Sequence, residues 1–118
     1  MRLLIVIYNA FDVVRVPFPF TDRSATKNRP ALILSDESRF NTLVGHSVMA
    51  MITSANNAAW PLDCIINDLS AAGLPAPSKV RFKLFTLDHR LIRSVLGRLS
   101  PQDEARVRQG LTVLFSLT

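Results

Sequence analysis

The sequence is short of several things, and each shortage removes a class of function. It has one cysteine, Cys64, in 118 residues. No internal disulfide can form, and a reducing cytoplasm is the natural setting. Cys64 sits in the apolar run Asp63-Cys64-Ile65-Ile66, where a small buried hydrophobe is expected rather than a nucleophile. The two histidines, His46 and His89, are far apart and have no cysteine partner at ligand spacing, which argues against a zinc site. His89, beside Asp88, reads as a surface or turn residue. No Gly-rich phosphate loop and no G-x-S-x-G elbow occurs, so nothing calls for a nucleotide cofactor or a serine nucleophile of that kind. No apolar stretch is long enough to span a bilayer as a helix. The run Met1–Tyr8 faintly resembles a signal peptide, but it is short and no A-x-A-like site follows before Asp12,. Residues 1–10 read as a lead-in strand or a loosely attached arm.

Acidic residues are also scarce. Fourteen Lys and Arg face nine Asp and Glu, a formal net charge of +5. That excess favours a polyanionic partner, although it also serves solubility. With 48% hydrophobic residues, the chain has enough apolar material for one core, and its length fits a single domain over 1–118.

What is there reads mainly as short strands. Asp12-Val13-Val14-Arg15-Val16 is β-branched and stops at Pro17 and Pro19,. The polar stretch Thr21–Asn28 is a loop. Ala31–Leu34 reads as a buried strand, followed by polar Ser35–Arg39. Val48–Ile52 is another strand, running into the loop Thr53–Asn57. Asp63–Ile66 is a short strand, and Gly73–Ser78, with one glycine and two prolines, is a connection. Val80-Arg81-Phe82-Lys83-Leu84 alternates strictly, which places Val80, Phe82 and Leu84 on the core face and Arg81 and Lys83 on the other. Leu91–Leu99 is the expected last strand, with Gly97 at a bulge or close approach. Ser70–Ala72 is helical only as a turn.

The C-terminal segment changes character. Ser100 can cap a helix, Pro101 suits its first position, and Asp103 favours the positive end of the dipole. Val107, Leu111 and Leu114 recur at helical spacing, with Val113 and Phe115 close by,. The expected fold is mainly β with a C-terminal helix over 100–116, the strands forming a small barrel.

Lys79, Arg81, Lys83, Arg90, Arg93 and Arg98 fall in one segment against Asp88 alone. This pattern suits either a solvated face on two strands or a groove that tracks phosphates.

Three stretches together resemble the MazF/PemK family of toxin–antitoxin endoribonucleases: Asp12–Asp22, Lys27–Ser35 and Ile52-Thr53-Ser54. Gly73-Leu74-Pro75, Ser78–Arg81, Lys83–Asp88 and Gly97–Ser100 fit as well. The resemblance implies an SH3-like barrel assembled as a homodimer, and metal-independent cleavage of single-stranded RNA. It also implies a cognate antitoxin whose tail covers the RNA groove. By the family pattern the catalytic residues are Arg29, of the Arg29-Pro30 pair, and Thr53, at the end of the central strand. Ser54 stands ready to assist. Without the resemblance, Arg29 ends a loop that Pro30 stiffens, and Thr53 satisfies a turn.

The chemistry fits those roles. Metal-free RNA cleavage uses the substrate's own 2′-OH and makes a crowded, highly anionic phosphorane. The planar fork of Arg29 can grip two phosphate oxygens. With a pKa above ~12 it shuttles protons poorly, so its expected role is electrostatic. Asn56 and Asn57 suit exposed base edges, and Trp60 offers either a stacking surface or a dimer-interface anchor. Lys79, Arg81 and Lys83 are the expected phosphate contacts.

The chain departs from the family at three points. A glutamate that some members carry five residues before the arginine is Ser24, and an aspartate that others carry two after Arg81 is Lys83. The usual glycine before Asp12-Val13 is Phe11. The missing carboxylates leave the general base unassigned, with Asp22 a candidate by location only. They leave open a silent homologue that binds RNA or antitoxin without cutting. A gyrase poison is a further alternative on the same barrel, but the ending Phe115-Ser116-Leu117-Thr118 lacks the Trp-Gly-Ile type of that class.

Overall fold

The computed structural model describes residues 6–17 and 27–117. Extended segments coincide with the β-branched runs: β1 (Asp12–Pro17), β2 (Asn28–Ile33), β3 (His46–Ser54), β4 (Cys64–Ile65), β5 (Ser78–Asp88) and β6 (Ser94–Arg98). All pair antiparallel in one six-stranded sheet, in the order β4-β5-β3-β2-β1-β6. Between β2 and β3 a π-helical turn, Glu37–Asn41, runs into the short helix α1 (Thr42–Val44). One turn of helix, α2 (Leu69–Ala72), precedes β5, and α3 (Pro101–Leu114) closes the described chain.

The sheet bends into a half-barrel whose outer strands, β4 and β6, do not pair with each other. The α2 turn covers that gap. A Cβ on Gly97 of β6 would lie 2.4 Å from the Ala71 carbonyl oxygen, and one on Gly73 only 2.0 Å from that of Leu96. The contact is therefore backbone against backbone, which only glycine permits. Gly97 also adjoins the register shift between β1 and β6.

The sheet has apolar residues on both faces. One cluster holds Val13, Leu32, Ala50, Ile52, Val80 and Phe82, with Val107 of α3 packed on it. The other holds Val14, Val16, Ala31, Ile33, Met49 and Leu87. This explains why β1 and β2 read as continuous apolar runs rather than alternating ones. In β5 the register jumps from Leu84, opposite Ala50, to Arg81, opposite Met51. Phe82 and Lys83 bulge out of the ladder. The ring of Phe82 meets Gly110 of α3, where an added Cβ would come within 2.8 Å of it.

Several local features differ from the sequence expectation. The polar segment after β2, to which the sequence assigned no element, forms a helical turn, because Asp36 caps it by accepting from the Arg39 N–H at 2.9 Å. The last strand begins at Ser94, not Leu91. Asp88 caps a 3-10 turn, His89–Leu91, by accepting from the Arg90 N–H at 2.8 Å. α3 starts as expected, with the Asp103 N–H donating to Ser100 Oγ at 3.2 Å and Pro101 in its first turn. It ends at Leu114, which is 38% exposed along with half-exposed Val113 and Phe115. Asp103 lies in the first turn as expected, and its side chain also reaches beyond the helix. Its carboxylate is buried and accepts from the Asn67 and Asp68 N–H groups at 3.1 and 2.9 Å, with Arg106 beside it. The helix start thus anchors the segment after β4.

Residues 6–10 form no strand. Asn41 is fully buried and donates from Nδ2 to the Tyr8 and Ser35 carbonyls at 2.9 and 2.8 Å, which ties this arm down. Phe11 adopts φ +71°, a left-handed conformation that a bulky side chain rarely takes,. Its ring is buried in the core, with the Arg108 guanidinium 4.6 Å from its centroid. No helix among the described residues is long and apolar enough to cross a membrane.

Candidate active site

Register brings Arg29 and Thr53 together. Ala31 pairs with Met51 and Leu32 with Ala50. Continued two residues, that antiparallel register sets Arg29 opposite Thr53. Arg29 is itself paired with Val16 of β1, and Thr53 with Lys79 of β5. One row across four strands therefore carries Val16, Arg29, Thr53 and Lys79 on the same face. Past Ala31 the two strands part, and the 74–78 connection closes over the opening. The result is a cleft of roughly 260 Å³ lined by Arg29, Pro30, Thr53, Ser54, Pro75 and Ser78 among others. Arg29 Nε is buried there without a hydrogen-bond partner among the described residues. An unpaired buried guanidinium N–H is costly, and an anionic ligand would supply its missing acceptor.

Thr53 is held from below. Its hydroxyl is nearly buried and accepts a hydrogen bond from Asn57 Nδ2 at 2.5 Å. The Asn57 carbonyl in turn accepts from Lys79 Nζ at 2.7 Å. Lys79 forms an ion pair with Asp63 at 3.0 Å, and Arg81 grips the same carboxylate through Nε and Nη2 at 3.2 and 2.9 Å. Arg81 also donates to the Ala58 carbonyl at 2.6 Å. Asp63 closes its own loop by accepting from the Trp60 N–H at 3.0 Å. Burial opposes its ionisation. The hydrogen bonds from Arg81, Lys79 and Trp60 together outweigh that, so its carboxyl titrates below the ordinary aspartate range and Arg81 above the ordinary arginine one.

The residues expected to contact RNA thus fall into two groups. Lys79 and Arg81 are buried and matched to Asp63, so their charges serve the loop rather than an open groove. The side-chain nitrogen of Asn57 is directed at Thr53, not at solvent. Ser54 and Asn56 are exposed at the turn, where Ser54 Oγ accepts from the Asn56 N–H at 3.2 Å. Trp60 is 42% exposed, with Lys83 Nζ 4.9 Å and the Arg81 guanidinium 5.5 Å from its ring centroid. Asp22 and Ser24 lie outside the described residues.

The remaining chemistry-bearing groups have structural surroundings. His89 Nε2 shares a 2.7 Å hydrogen bond with Ser47 Oγ, and its ring lies 4.7 Å from that of Tyr8. Burial pushes its pKa down. Cys64 is half-buried, and burial pushes its thiol up. No group of three or more His, Cys, Asp or Glu among the described residues is placed to hold a metal ion.

Sequence reasoning missed Asp63. In the sequence it marks only the start of a strand, yet it organises the whole loop. The available signal was the lone carboxylate in Trp60-Pro61-Leu62-Asp63, placed three residues after a turn-starting tryptophan and ahead of the basic β5.

Solved structures with the same fold include three toxins or nucleases. One is an endoribonuclease in complex with its cognate antitoxin from Mycobacterial species (TM-score 0.74, 15% identity, 94% of this chain and 97% of that one). MazF from Deinococcus radiodurans gives 0.72 and 23% identity over 94% and 98%. The Mycobacterium tuberculosis toxin MazF-mt6 gives 0.70 and 18% over 89% and 96%. No curated protein matches the sequence. The PemK-like, MazF-like toxin family of type II toxin–antitoxin systems matches residues 9–115. That span takes in the sheet, the cleft and α3, and the chain belongs to this family.

Proposed function

We propose that this protein is the toxin of a type II toxin–antitoxin pair and acts as a metal-independent endoribonuclease on single-stranded RNA. The observation that carries the reading is the meeting of Arg29 and Thr53 in one cleft, with Arg29 Nε buried and unsatisfied among the described residues. The cleft offers a guanidinium and hydroxyls, which suit a phosphate, rather than the oxygen cage a divalent ion needs.

In the proposed reaction the 2′-oxygen attacks the adjacent phosphorus while the bond from phosphorus to the 5′-oxygen breaks. The products are a 2′,3′-cyclic phosphate and a 5′-OH. The 2′ proton leaves to a base and the 5′-oxygen gains one. Arg29 neutralises the charge that builds on the non-bridging oxygens, and Thr53 donates its hydroxyl to the same group. Trp60 and Lys83 flank the path of the strand, a stacking surface beside a cation, with Ser54 and Asn56 at the turn nearest the bases. The β5 position at which some family members carry an aspartate is Lys83, and that favours the second reading, a homologue that binds RNA or antitoxin without cutting.

The reading extends to a cytoplasmic setting, a cognate antitoxin and a homodimer. An apolar depression of roughly 330 Å³, lined by Leu34, Val48, Leu84, Leu111, Phe115 and Leu117, is surface that a second copy would cover,. The test of function is incubation with long single-stranded RNA in EDTA, followed by end analysis. Cyclic-phosphate and 5′-OH ends, lost in Arg29→Ala, are expected. Intact RNA from folded, antitoxin-free protein refutes the nuclease and leaves the binding reading.

A further inference from the structure

We infer that Asn57 is a positioning residue that fixes the direction of the Thr53 hydroxyl, making it a donor toward the cleft. The inference rests on the proposed function and adds a residue to its site. A threonine hydroxyl has one proton and two acceptor lone pairs, and it rotates to suit its neighbours. With Asn57 Nδ2 donating to Oγ1 at 2.5 Å, one lone pair is occupied and the hydroxyl proton must point elsewhere. The cleft containing Arg29 lies open beside it. An anionic oxygen bound by Arg29 is the acceptor that completes both groups.

Asn57 keeps its own position through the main chain. Its N–H donates to the Ser54 carbonyl at 3.1 Å, and its carbonyl is held by Lys79 at 2.7 Å. Lys79 is in turn fixed by Asp63 at 3.0 Å. The relay runs Asp63, Lys79, Asn57, Thr53, so the buried cations of β5 act on the site through the loop and need not touch the substrate. The Asn57 side chain is exposed apart from this bond, and substituting it leaves the core intact.

The experiment compares Asn57→Asp and Asn57→Ala with the native residue, each also in a Thr53→Val background. Cleavage of RNA is measured as kcat and KM. Binding of an oligonucleotide carrying 2′-deoxy at the cleavage position is measured in parallel. Asn57→Asp presents an acceptor in place of the donor and turns the threonine proton inward. It is expected to lower kcat at least tenfold with KM changed less than threefold, and Asn57→Ala to lower kcat several-fold. In the Thr53→Val background both substitutions are expected to change kcat by less than twofold, because no hydroxyl remains to orient. Equal losses in both backgrounds mean that the added charge alone acts, and overturn the proposal. So does an Asn57→Asp protein that cuts like the native one. If the native protein binds the oligonucleotide but cuts nothing, the nuclease reading fails. The orientation is then judged on binding, where Asn57→Asp must weaken affinity only when Thr53 is present. If the native protein neither cuts nor binds, both readings fall.

Discussion

Replacing Asp63 by asparagine removes one negative charge and leaves two cations facing each other. The side chains of Lys79 and Arg81 are only 6% and 11% exposed, and Asp63 is 11% exposed. Water therefore cannot take over the solvation that the carboxylate provides. Removing one partner of a buried pair costs about 3–5 kcal/mol. The residual exposure here and the one amide oxygen that asparagine keeps as an acceptor place the expectation near the lower end, about 3 kcal/mol. The assay is urea unfolding at neutral pH, with the midpoint and slope measured for both proteins. The pH dependence supplies an internal control. The Asp63 carboxyl is depressed in the folded state, so its contribution is present above the unfolded value of 3.8 and fades as pH falls through the folded value,. The gap between native protein and Asp63→Asn should therefore narrow in acid. A loss below about 1 kcal/mol, the range of exposed ion pairs, or a gap that stays constant into acid, would refute the reasoning that this carboxylate is a buried counter-charge.

Three more outcomes are expected. Lys83→Ala should flatten the salt dependence of RNA affinity by about 0.7 in the log–log slope for a single strand, whereas Lys79→Ala should leave the slope unchanged and lower the urea midpoint. Equal slope changes for the two would show that Lys79 reaches phosphate. Gly97→Ala should destabilise by about 1–3 kcal/mol or prevent folding, since its Cβ would meet the Ala71 carbonyl oxygen at 2.4 Å,. Native-like thermal unfolding of that variant would disprove the contact. His89 is held below its ordinary value near 6.5, chiefly by burial. The unfolded chain then binds its proton first, so stability should be full above about pH 6.5 and decline as pH falls toward the folded value. His89→Gln should flatten that part of the stability profile, and an unchanged profile would rule the group out.

The parts of the fold that sequence reading found are those where local chemistry and tertiary packing agree. Val13, Val14 and Val16 favour an extended chain and are all buried. Ser100 and Pro101 mark the start of α3 by rules that depend on the backbone alone. The turn after β2 escaped because Ser35–Arg39 carries no apolar period. Its helical form rests on the Asp36 cap and on Asn41, a buried polar residue that binds both the Tyr8 arm and the Ser35 carbonyl. The expectation that Arg29 and Thr53 act together came only from family resemblance. Nothing local to Arg29 or Thr53 reveals that β2 and β3 bring both residues to the lining of one cleft. The alternation in β5 gave the correct faces but not the burial of Arg81, because a cation's partner cannot be read from its own strand. Asp63 and Asn57 needed the folded loop before their roles were visible.

The tethering of that loop has a thermodynamic consequence for recognition. The Ala55 N–H reaches the Pro77 carbonyl at 3.1 Å, and Lys79, Arg81 and Asp63 fasten the rest. Fixing a residue's backbone costs about 1–2 kcal/mol of conformational entropy. Over this loop most of that loss is incurred when the protein folds, not when a ligand arrives. If the proposed function holds, a strand of RNA would meet a loop already ordered, and its affinity would not be diminished by ordering that loop. Weakening the tether shifts the same entropy onto association. A protein in which the loop is loosened can keep every contact atom and still bind slowly and weakly.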